Sequence, residues 1–94
     1  MGETRSVHVR ITGRVQGVGY RAWLEAEAVN QDLDGWVRNH TDGTVEAVFR
    51  GAPNKVAEML ERCRSGPPAA RVTRIDTLGA PLEVSPGFHR RATV

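Results

Sequence analysis

Apolar and polar residues alternate from Ser6 to Thr12, with Val7, Val9 and Ile11 on one side and His8, Arg10 and Thr12 on the other. That period of two predicts a strand with one covered face and one wet face. From Ala22 to Gln31 the chain is rich in Ala, Glu and Leu, and Tyr20, Leu24 and Ala28 recur four apart with Trp23 beside them. This spacing predicts a helix with a core-facing stripe. Asp32-Leu33-Asp34-Gly35 turns the chain, with Leu33 expected to close the core. Trp36 to His40 and Thr44 to Arg50 alternate again, with Val45, Ala47 and Phe49 on one face, and Thr41-Asp42-Gly43 between them carries hairpin chemistry. Pro53 suits the first position of a helix. Val56, Met59, Leu60 and Cys63 follow at i, i+3, i+4, i+7, and Gly66-Pro67-Pro68 stops that helix. Val72 to Leu78 reads as a fourth strand in which the three-residue step from Val72 to Ile75 points to a bulge. Gly79 to Pro86 reads as a loop, and Phe88 to Val94 as a short final strand or tail.

The order is β-α-β-β-α-β plus a terminal segment. It predicts an α+β fold of the ferredoxin-like, split βαβ kind: an antiparallel sheet with two helices on one face. The first strand should lie inside the sheet. A chain of 94 residues implies one domain, 1–94, with residues 1–5 frayed.

Between the first strand and the first helix lies Gly13-Arg14-Val15-Gln16-Gly17-Val18-Gly19-Tyr20-Arg21. Three glycines in seven residues let the backbone take positive φ and let a ligand approach closely. The helix start that follows offers free N–H donors and the positive end of its dipole. Together these make an anion site, and Arg21 adds a planar fork suited to phosphate. The run is not a Walker loop, which ends in Gly-Lys-Ser/Thr. Gly17 to Ala22 does fit the dinucleotide fingerprint, but that fold needs further parallel crossovers, and a hairpin follows here instead. A plain tight turn is the bland alternative.

Composition narrows the class. A single cysteine, Cys63, precludes an internal disulfide and reads as packing in the second helix rather than as a nucleophile. No Cys/His spacing resembles a zinc site, and His8, His40 and His89 are scattered, so no metal is expected. No segment has the length of a membrane span or the pattern of a signal peptide, which makes a cytoplasmic protein the expectation. The net charge of +2 favours a small anion over nucleic acid, because acids interleave the basic residues and aromatics are few. Arg71 to Arg74 and His89-Arg90-Arg91 are the only local basic groups, and they read as solvated surface.

The glycine run resembles the phosphate-binding loop of the acylphosphatases. Gly35-Trp36-Val37-Arg38-Asn39 with Asp42-Gly43-Thr44-Val45-Glu46 resembles that family's second signature, and Gly66 to Val72 is similar too. The resemblance implies a monomeric, cofactor-free hydrolase that cleaves small acyl phosphates to a carboxylate and phosphate. It places Arg21 on the phosphoryl group and Asn39 on the attacking water, with the amides of Val15, Gln16, Gly17, Val18, Gly19 and Tyr20 as the cradle. The chain departs from the family pattern at Gln31 and Asp32, where Leu and Gly are usual, so the first helix is expected to end less tightly. It departs again at Thr41, where Pro is usual, and at His89-Arg90-Arg91, which lacks the usual apolar alternation.

This chemistry asks for little more. The carboxylate leaving group has a pKa of about 4, so no general acid need protonate it. Phosphoryl transfer is dominated by positioning and charge stabilisation. Two alternatives stand beside this reading. One is a non-catalytic anion- or nucleic-acid-binding ferredoxin-like module; the polar residues on the strands' open face argue against base stacking. The other is a domain of a larger carbamoyl-phosphate-handling protein, which the chain's length argues against.

Overall fold

The computed structural model describes residues 2–79 and 83–94. The elements run β1 (Arg5–Arg14), α1 (Tyr20–Asn30), β2 (Asp34–Asn39), β3 (Val45–Gly51), α2 (Pro53–Ser65), β4 (Arg71–Thr77) and β5 (Phe88–Arg90). The sheet order is β4-β1-β3-β2-β5. The first four strands pair antiparallel, as the sequence pattern implies, and β1 lies inside the sheet. The terminal segment adds a fifth strand parallel to β2, with Gly35, Trp36 and Val37 opposite Phe88, His89 and Arg90. The fold is therefore ferredoxin-like with a mixed sheet.

The alternation read from β1 is realised directly. Val7, Val9 and Ile11 are buried in one core cluster with Val45, Ala47 and Phe49 of β3. Tyr20, Leu24 and Ala28 of α1 and Val56, Met59 and Cys63 of α2 enter the same cluster, so both helices cover one face. Leu33 is buried at the turn, while Trp23 and Leu60 pack at the margin. The Tyr20 hydroxyl donates to the Cys63 carbonyl at 2.6 Å, which joins the two helices inside the core. Burial pushes the Cys63 thiol up to about 12, further than the neighbouring Tyr20 hydroxyl draws it down. That thiol is a packing group, as its place in the helical stripe indicated.

Two irregularities have local causes. Thr12 pairs with Arg74 but Gly13 pairs with Val72, which leaves Thr73 without a partner. This bulge is why Val72 and Ile75, three apart, both pack against the core. At the end of α1, Asp32 takes φ 57, the left-handed conformation that glycine enters freely. The Leu33 amide then reaches back to the Ala28 carbonyl at 3.0 Å and closes the turn.

The other face of the sheet is not simply wet. Trp36 is 2% exposed there, with the Arg38 and Arg91 guanidinium groups 4.8 and 4.6 Å from its ring centre. Glu46 is 4% exposed and takes His8 Nε2 at 2.5 Å, His40 Nε2 at 2.6 Å and Arg38 Nε at 2.9 Å. A carboxylate only accepts, so both imidazoles donate to it from Nε2. Burial alone would raise the Glu46 carboxyl, but the hydrogen bonds from His40, His8 and Arg38 outweigh it and hold it at about 2. No helix among the described residues is long and apolar enough to cross a membrane.

Candidate active site

The loop from Val15 to Gly19 is held by side chains that point inward. Val15 and Tyr20 are each 1% exposed, and Val18 packs against the core. Between these anchors Gly17 and Gly19 take φ 72 and 77, and a Cβ added at either would meet no protein atom within 4 Å. Their conformation needs glycine, and the space above them is open, as a ligand resting on backbone amides requires.

Gly19 is the N-cap of α1, in the left-handed region, and no side chain caps the helix. The first turn carries no acidic residue either. The N–H groups of that turn, which a Ser or Asp cap would otherwise satisfy, are left for an incoming acceptor. Arg21 sits in this turn, where the helix dipole disfavours a cation. That local conflict is the kind found at functional sites, and an anion placed there would relieve it.

The loop faces a cavity of about 200 Å³ lined by Val15, Gln16, Gly17, Gly19, Tyr20, Arg21, Ala22, Asn39 and Arg90. Arg21 and Asn39, 18 positions apart in the chain, thus border the same space. Of the cradle residues named from the sequence, only Val18 is off the lining, since its side chain turns into the core.

Asn39 is the last residue of β2, opposite Val45. Its Oδ1 is buried and has no hydrogen-bond partner among the described residues. An orphaned buried acceptor is costly unless something outside the protein satisfies it. The bland reading of Asn39, a turn residue bonding the backbone, does not account for that atom. The backbone on both sides is fixed. The Val94 amide donates to the Asn39 carbonyl at 3.1 Å, and the Thr41 amide donates to the Val94 carbonyl at 2.9 Å. Across the hairpin, Asp42 Oδ1 accepts from the Thr44 amide at 2.9 Å and from its hydroxyl at 2.6 Å. Those Thr44 hydrogen bonds, the side-chain one first, hold the exposed Asp42 carboxyl below its usual range.

Loop and hairpin are joined by Gln16, whose Nε2 donates to the carbonyls of His40 and Thr44, both at 2.8 Å. From sequence, Gln16 enters the cradle only through its backbone amide, and Arg90 reads as solvated surface. Arg90 is half exposed, but it reaches the cavity from β5 and pairs with Glu25 at 3.0 Å. The absence of apolar alternation at His89-Arg90-Arg91 was the available signal, because a strand edge that abandons packing residues has another use for them. Arg91 lies on the opposite face, on Trp36.

Among the described residues the lining contains two arginines and no Asp, Glu, His or Cys. It suits binding and orienting an anion, and it offers no side chain of ordinary carboxylate or imidazole type for proton transfer.

Comparison with known proteins agrees with this geometry. The family model described as Acylphosphatase matches residues 7–89. An acylphosphatase of Azorhizobium caulinodans is 53% identical over 92 residues, covering 97% of this chain and 99% of its own. One from Bradyrhizobium diazoefficiens is 58% identical over 76 residues, 79% of this chain and 77% of its own. The crystal structure of acylphosphatase from Bacillus subtilis superposes with a TM-score of 0.86 at 33% identity, covering 95% of this chain and 99% of that one. The family model and these relatives place the chain in the acylphosphatase family.

Proposed function

We propose that this acylphosphatase hydrolyses the carboxyl–phosphate bond of small acyl phosphates, with the phosphoryl group on the Val15–Tyr20 amides and Arg21 and the attacking water on Asn39. The observation that carries the assignment is that Asn39, with a side-chain oxygen that has no hydrogen-bond partner among the described residues, lines the same cavity as Arg21. The Asn39 side-chain amide can hydrogen-bond a water in that cavity and leave it a lone pair free to attack phosphorus.

The loop amides and the Arg21 fork bind the non-bridging oxygens and stabilise the charge that spreads over them in the transition state. The leaving carboxylate departs as an anion without protonation, which fits a lining with no acid side chain among the described residues. Held water and held phosphoryl together convert a bimolecular attack into a positioned one, a large share of the barrier in such reactions.

The test is hydrolysis of benzoyl phosphate by the pure protein in EDTA, with inorganic phosphate as inhibitor and Asn39→Ala as the variant. Turnover should persist in EDTA and phosphate should compete with substrate. Asn39→Ala should lose kcat by about a hundredfold or more while keeping phosphate affinity. A variant with unchanged kcat would remove Asn39 from the mechanism.

A further inference from the structure

We infer that Arg90 is a positioning residue: by holding the Glu25 carboxylate it keeps that carboxylate off Arg21 and leaves the anion pocket positive. The inference rests on the reading that Arg21 holds the phosphoryl group.

Helix α1 carries one cation, Arg21, and two acids, Glu25 and Glu27. Both acids are held by arginines from other elements: Glu27 by Arg62 of α2 at 2.8 Å, and Glu25 by Arg90 of β5 at 3.0 Å. Arg21 is in no ion pair among the described residues. Glu25 stands four residues after Arg21, one helical turn on, where oppositely charged side chains are neighbours and can pair, though less strongly in this order than with the acid first. Without another partner Glu25 is therefore the nearest competitor for the Arg21 guanidinium. It is also a negative charge one turn from a site built for an anion.

The fold supplies the other partner in a specific way. Parallel pairing sets Arg90 opposite Val37, on the same side of the strand as Phe88, which is buried in the core under the helices. From there Arg90 reaches both the cavity lining and α1. The Arg90 and Glu25 side chains are 50% and 32% exposed, so the pair itself contributes little to stability. Its consequence is electrostatic: one charge of each sign cancels beside the pocket, and Arg21 stays available.

Removing Arg90 releases Glu25 to occupy Arg21 in part of the population. A ligand must then displace it, and apparent affinity falls in proportion to the competent fraction. A bound substrate has already displaced Glu25, so the loss falls on KM.

The experiment is a double-mutant cycle on the full chain, read by calorimetric titration with inorganic phosphate and by benzoyl phosphate kinetics. Arg90→Ala should weaken phosphate binding about two- to fivefold and raise KM to match, with the melting temperature nearly unchanged. The loss should shrink as salt is raised. In the Glu25→Gln background, Arg90→Ala should have no further effect on phosphate affinity. Arg90→Lys, which retains a cation for Glu25, should bind phosphate like the wild type. An equal loss in both backgrounds would make Arg90 a direct ligand of the anion and overturn the inference, as would no loss in either. Failure of the wild type itself to bind phosphate would overturn the underlying site as well, which separates the two failures.

Discussion

Gln16 Nε2 lies 2.8 Å from the His40 carbonyl and 2.8 Å from the Thr44 carbonyl, so one side-chain amide ties the anion loop to both arms of the hairpin that carries Asn39. Arg21 and Asn39, the groups proposed to hold phosphoryl and water, come from different elements, and Gln16 links those elements directly. Position matters steeply in such sites, since a shift of about 1 Å can cost a hundredfold in rate.

Gln16→Ala should therefore lower kcat by about tenfold or more and leave a folded protein, since two net hydrogen bonds amount to roughly 1–3 kcal/mol. Gln16→Glu should be worse than Ala, because a carboxylate would face two carbonyl oxygens with no proton to give. The check is steady-state kinetics beside thermal melting. A Gln16→Glu variant as active as Gln16→Ala would mean the loop is held without this link.

Glu46 clamps the residues on either side of Asn39, Arg38 and His40, and also His8 of β1. Its carboxyl lies at about 2 in the folded protein against 4.5 ordinarily. A group lowered on folding contributes stability above its unfolded value, and that contribution is lost as pH falls through the folded one. Glu46→Gln should thus lower the melting temperature at pH 7, and the gap to wild type should close between about pH 4.5 and pH 2. Melting curves across that range decide it. A gap that stays constant down to pH 2 would assign the loss to packing rather than to ionisation.

Much of this architecture is legible in the residues, and the illegible parts share a cause. Period-two alternation in β1 and β3, the stripes of α1 and α2 and the Asp42-Gly43 turn each rest on local rules, so the element order and the helix-covered face follow from them. The Val72–Ile75 step disclosed the Thr73 bulge because core burial has to be kept on both sides of it. Glu46 could not be read as buried, since alternation only assigns it to the polar face. What covers it is a set of side chains brought from β1, β2 and the turn after β2. For Arg90 the missing apolar alternation hints at a use other than packing, but its place on the cavity depends on a three-residue strand pairing in parallel, a non-local choice that sequence pattern does not encode. The expected loop from Gly79 to Pro86 includes residues 80–82, which lie outside the described residues.

Asp32 sits where the family pattern has glycine, and it holds φ 57. The left-handed region costs an L-residue roughly 1–2 kcal/mol, somewhat less for Asp, and glycine avoids that cost. Glycine also gives the unfolded chain more freedom, which offsets part of the gain. Asp32→Gly should still stabilise by about 0.5–1 kcal/mol, seen as a rise of a few degrees in melting temperature for a chain this short. Activity should not change, since Asp32 is at the far end of α1 from the cavity. A fall in melting temperature would mean that Asp32 gains more from its surroundings than its backbone loses.

Arg21 is a cation in the first turn of α1, where the helix dipole opposes it and no carboxylate of the described residues pairs with it. If it served only as a surface residue, replacing it would relieve a small repulsion and do nothing else. If it holds a phosphoryl group, the same residue should be mildly unfavourable in the free protein and strongly favourable with the anion bound. Two measurements separate these. Inorganic phosphate should raise the melting temperature of the wild type, because a ligand that binds only the folded state stabilises it by mass action. In Arg21→Ala that rise should largely vanish, while the ligand-free melting temperature stays level or climbs slightly. Arg21→Lys then asks whether charge alone suffices. Guanidinium gives two parallel hydrogen bonds to phosphoryl oxygens where an ammonium group is a mobile point charge. Losing one charged hydrogen bond, about 1.5–3 kcal/mol, should slow turnover by roughly ten- to a hundredfold. Phosphate affinity should fall too, since Arg21 meets the ground state as well as the transition state. Wild-type kcat and wild-type phosphate inhibition in a stably folded Arg21→Lys would show that the site uses only the charge, and in Arg21→Ala they would remove Arg21 from the site.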